Sequence, residues 1–163
     1  MIKKTIIEQK IERNLFITLF LISIILSNVG IPSIENVAMM PNYFIALITA
    51  FTLNKNSFLN IYILVIIGLI VDIFVGELLG QYGLIFICIY LVHFIIQKIL
   101  VIKSTQQIFS LGFFLTISSF LVLWTTSVSH GLFISFNLIF IQSILTFIAY
   151  LIFNTFIKKF TKN

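Results

Sequence analysis

Apolar residues in this chain come in long uninterrupted runs rather than in strand-like alternation. Six runs stand out, at 15–29, 37–53, 58–75, 82–96, 108–126 and 132–157. Long apolar runs with few charges read as membrane-crossing helices, each needing about 20 residues to traverse the hydrocarbon core. The 37–53 run gives roughly 25 Å of helix, barely a crossing. Pro41 and Asn42 interrupt it early, where a proline in the first turn of a helix is tolerated. The 132–157 run is long enough to tilt. The pattern predicts an all-α integral membrane protein, a compact bundle of six transmembrane helices forming one domain over 1–163, with 1–14 as a basic leading segment.

Composition agrees with that reading. The chain is 60% hydrophobic and only 9% charged, against about 45–50% and about 25% for a soluble domain. So few charges could not clothe a water-facing surface, and disorder is excluded on the same ground. The net charge of +5 could suggest nucleic acid, but the Lys and Arg residues flank the apolar runs instead of clustering on a folded face. No nucleic-acid partner is expected.

The position of the cations sets the expected topology. With a cytoplasmic N-terminus, the inside segments hold Lys3, Lys4, Lys10 and Arg13, then Lys55, then Lys98 and Lys103, then Lys158, Lys159 and Lys162, which is all ten. The outside loops hold Glu35, Glu77 and His130 and no Lys or Arg. Cytoplasmic loops retain positive charge, so both termini are expected inside. The basic start followed by an apolar core resembles a signal peptide, but Ser27-Asn28-Val29-Gly30 is a poor cleavage site, and five further spans follow. The first run is therefore expected to stay. Ahead of it, Ile2, Ile6, Ile7 and Ile11 recur at helical spacing among basic residues, the pattern of a short helix lying on the inner leaflet, with a solvated basic tail as the alternative.

Little in the chain suggests catalysis. Cys88 has no second cysteine to pair with, and no nucleophile triad, metalloprotease or phosphate-binding motif is present. Intramembrane ionisable groups are functional candidates because they are costly to bury. Asp72 falls near the outer end of the third run and His93 near the inner end of the fourth, a depth difference of roughly 15 Å that argues against a shared relay or metal site. Glu77, His130 and Asn137 join Asp72 near the outer interface. Neither an enzyme nor a cofactor is expected.

The clearest motif lies between the third and fourth runs, where Gly68, Asp72, Gly76 and Gly80 are spaced by four and Gly83 follows. On one helix these would form a stripe of small residues with a carboxylate, a surface that lets two membrane helices approach closely. The later glycines also suit a tight turn. Gly68, Asp72, Gly76, Gly80, Gly83 and Pro41 are thus the candidate helix-packing or partner-interface residues.

With Gly68-Leu69, Asp72, Gly76 and Gly80 in this order, and Pro41-Asn42 opening the second run, the chain resembles the MreD family, the small membrane subunit of the bacterial rod-shape (elongasome) complex. The resemblance implies a non-enzymatic scaffold in the cytoplasmic membrane. It further implies direct binding of MreC, and linkage of MreB filaments to the transglycosylase and transpeptidase of side-wall peptidoglycan synthesis. It also implies an architecture shared with the vitamin-binding S components of energy-coupling transporters. The alternative reading is accordingly a small-ligand-binding subunit, with Asp72, Asn137, Trp124, Thr125, Thr126 and Ser127 as candidate lining.

Overall fold

A computed structural model describes residues 2–28, 40–54, 58–75, 78–99, 105–129 and 136–161. Among the described residues the fold is all-helical, with six helices: α1 (Ile2–Asn28), α2 (Tyr43–Thr52), α3 (Ile61–Val75), α4 (Gln81–Ile99), α5 (Thr105–Ser129) and α6 (Phe136–Thr161). Three of them are long and apolar enough to cross a membrane, at Gln81–Ile99, Gln106–Ser129 and Phe136–Phe160. Their outward faces carry exposed Leu, Ile and Phe side chains, a surface suited to lipid rather than water.

Two elements differ from the sequence expectation. The basic leading segment and the first apolar run form one unbroken helix, α1, instead of an inner-leaflet helix followed by a span. No Gly or Pro occurs between Ile2 and Asn28 to interrupt the backbone ladder. The second run is shorter than its apolar length, because α2 has only 10 residues, or about 15 Å of rise. Pro41 precedes the helix instead of lying in its first turn. Asn42 is the N-cap in extended conformation, and its Oδ1 accepts the Ile45 N–H at 3.1 Å. Proline disfavours helix in the residue before it, and an Asn side chain competes for the first free amide, so together they fix the start at Tyr43.

The short helix lies at the centre. Phe44 through Thr52 are all buried, as expected of a helix that is apolar all round. It packs against α1, α4, α5 and α6, while α3 packs chiefly against α4 at the edge of the bundle. An aromatic cluster closes the α1 side: the Phe16 ring meets Phe51 at 5.0 Å and Phe58 at 5.4 Å, both edge-on. Phe20 packs on Phe44, which in turn meets Tyr82. On the opposite side α5 and α6 touch at Gly112, where a Cβ would overlap the buried Tyr150 ring. The Tyr150 hydroxyl donates to the Ile108 carbonyl at 3.2 Å. Beyond the C-terminal end of α2, Asn54 Nδ2 donates to Oε1 of buried Glu12 at 2.9 Å, fastening the basic part of α1 to this end of the bundle.

Candidate functional site

The conspicuous feature of the fold is what becomes of Asp72. It sits on the last turn of α3 and is 1% exposed. Its Oδ2 accepts the Gly80 N–H at 2.7 Å, and its Oδ1 accepts the Tyr82 N–H at 2.9 Å. The first amides of a helix have no partner within it, and the positive end of the helix dipole favours an anionic acceptor. Asp72 therefore caps α4 from the neighbouring helix. The turn that makes this possible needs Gly80 in the left-handed region, at φ +92°, a conformation that costs other residues energy.

Close approach of the two helices is set one turn lower. A Cβ on Gly68 would overlap the Gly83 backbone, whereas a Cβ on Gly83 would meet only the Val65 carbonyl oxygen, at 3.9 Å. Gly68, Asp72, Gly80 and Gly83 are thus brought together in a single hairpin. They do not form one continuous stripe, because α3 ends at Val75 and Gly80 belongs to the turn. Gly76 lies outside the described residues.

From this hairpin hydrogen bonds run across the bundle. Asn42 Nδ2 donates to the Tyr82 hydroxyl at 2.6 Å, and the Asn42 N–H donates to Thr146 Oγ1 at 2.8 Å. The Thr146 hydroxyl in turn donates to the Gln142 carbonyl at 2.8 Å. Beside it, Gln81 Nε2 donates to Thr126 Oγ1 at 2.8 Å and to Ser127 Oγ at 3.4 Å. One polar layer thereby ties α3 to α4, α4 to α2 and α5, and α2 to α6. Both oxygens of Asp72 are engaged by main-chain amides, so its role in this geometry is that of an acceptor holding a turn.

Of the other described sequence candidates, Thr126 and Ser127 join this layer and the rest do not. His93 lies eleven residues beyond Tyr82 on α4, roughly 16 Å away along the helix, and is buried. Of the proposed ligand lining, Thr126 and Ser127 hold Gln81, Thr125 is exposed and bonds the Val122 carbonyl, and Asn137 is exposed. Trp124 packs edge-on against Phe136. Glu77 and His130 lie outside the described residues. Among the described residues, no three His, Cys, Asp or Glu side chains group as metal ligands. The sequence reading missed Gln81, Tyr82 and Thr146. Only Asn42 carried a local signal, through its neighbour Pro41.

An all-helical membrane protein whose helices are held by a buried carboxylate clamp is the class these features define. The chain belongs to the MreD family: the family model, described as rod shape-determining protein MreD, matches residues 8–163. Membership carries a role in determining rod shape. No curated protein and no solved structure matches the chain.

Proposed function

We propose that this protein is a non-enzymatic scaffold of the cell-wall elongation machinery. In this reading it crosses the cytoplasmic membrane six times with both termini inside, binds MreC, and links MreB to the peptidoglycan synthases. The observation that carries the reading is the Asp72 clamp. It holds α3 against α4 as a stiff edge of the bundle, with Ile66, Ile73 and Phe74 exposed on the outer side of α3. That face suits a single apolar helix from a bitopic partner, because membrane helices associate by close packing. The glycines then build the surface rather than touch the partner.

The test combines depletion in a rod-shaped host with cross-linking. Cells should round up, and a photo-crosslinking residue at Ile73 on α3 should capture MreC while one at Ile25 on α1 should not. Rounding with capture only from Ile25 would keep the scaffold and move its interface to α1. Unchanged shape with no MreC recovered, in a host lacking a second copy, would overturn the scaffold and favour the ligand-binding reading.

A further inference from the structure

We infer that Thr52 and His93 form a second polar site between α2 and α4, at the opposite end of α2 from the Asp72 clamp, and that its ligand is a water molecule. Both side chains are more than nine-tenths buried, and neither Thr52 Oγ1 nor His93 Nδ1 has a hydrogen-bond partner. For the threonine this is exceptional. Of the other buried Ser and Thr hydroxyls, those of Ser23, Thr49, Thr116, Ser119, Ser143 and Thr146 each donate to a carbonyl three or four residues earlier, and that of Ser127 accepts from Gln81.

Register brings the two together. The Asn42–Tyr82 bond sets the starts of α2 and α4 side by side, and the helices pack against each other. Thr52 lies ten residues beyond Asn42 and His93 eleven beyond Tyr82, so both are about 15–16 Å further along. Eleven residues are close to three full turns, so His93 shares the α2-facing side of Tyr82. On α2, Phe51 points into the cluster with Phe16 and Phe58. Thr52, one residue on, is turned about 100° away from that cluster. A hydroxyl and an imidazole nitrogen at this shared level, both buried and each without a direct bond, offer a water the two or more polar partners it needs. The carbonyls left free at the end of α2 are further acceptors. This site is independent of the scaffold reading.

A double-mutant cycle on the full-length protein in detergent, read by thermal unfolding, separates a shared water from two isolated polar groups. With a shared water, Thr52→Val and His93→Leu should each lower the midpoint. The double variant should then lose clearly less than their sum, because it dispenses with the water altogether. If the groups are isolated and dry, each substitution should raise the midpoint and the effects should add, which overturns the proposal. A measurement on the native site guards against misfolding. In ¹⁵N-histidine-labelled His130→Gln protein, His93 is the one remaining ring, and its nitrogens should receive magnetisation from water. No transfer would overturn the proposal as well.

Discussion

Asp72 shows what a carboxylate can do when its partners are amides of a neighbouring turn. Replacing it with Asn keeps the shape but turns an NH₂ toward one of two N–H donors, so one bond is lost and two donors face each other. Asp72→Asn is expected to destabilise the protein by about 1–3 kcal/mol, the cost of leaving a buried donor unpaired. A drop in the thermal unfolding midpoint of purified protein is the check, with no change in membrane insertion. The sequence made Asp72 conspicuous, because a charge in an apolar run is rare. It could not reveal the partners, because backbone N–H groups have no residue identity. Tyr82 was harder still: it reads as one more aromatic in an apolar run. Its partner Asn42 lies 40 positions away, and the Asn42–Thr146 contact spans 104.

Among the elements, the α3–α4 hairpin makes an asymmetric prediction. A methyl group at Gly68 runs into the Gly83 main chain, while the same group at Gly83 has room. Gly68→Ala should therefore cost about 1–3 kcal/mol through overpacking. Gly83→Ala should be neutral or slightly stabilising, since Ala is the better helix former. Equal effects in paired thermal melts would mean that the contact is not as close as described. Helix existence was legible here because an apolar run long enough to be a helix can hardly be anything else in lipid. Where the helices ended was less so. The four-residue spacing of Gly68, Asp72, Gly76 and Gly80 continues past the end of α3 because the last glycine serves a positive φ rather than a helix face, and spacing alone does not separate those uses.

The molecule as a whole has a polar layer near the start of α2 and basic residues at its far end. Lys10 and Arg13 lie on the part of α1 fastened to Asn54, while Lys98, Lys158 and Lys159 lie in the last turns of α4 and α6. The proposed topology makes this the cytoplasmic side. Single cysteines at Lys10 and Ser129 in a Cys88→Ser background test it with a membrane-impermeant maleimide. Ser129→Cys should label in spheroplasts, and Lys10→Cys only after permeabilisation; the reverse would invert the topology. The number of helices was readable from the runs and the distribution of cations, but the central place of α2 was not. An apolar run records only that a segment avoids water, and it reads the same whether lipid or protein takes the water's place.

That central place bears on how the protein is made. A helix of 10 residues with extended backbone before it is a poor substrate for lateral release into lipid, because the main-chain groups flanking it have no partner there. Three of its four neighbours, α4, α5 and α6, are synthesised after it. While the ribosome is still translating, α2 has no finished home. It must wait at the insertion machinery or under a chaperone until the C-terminal half arrives. Chains cut short before α6 should be poor survivors of membrane quality control, so that the last helix made decides whether one of the first is kept.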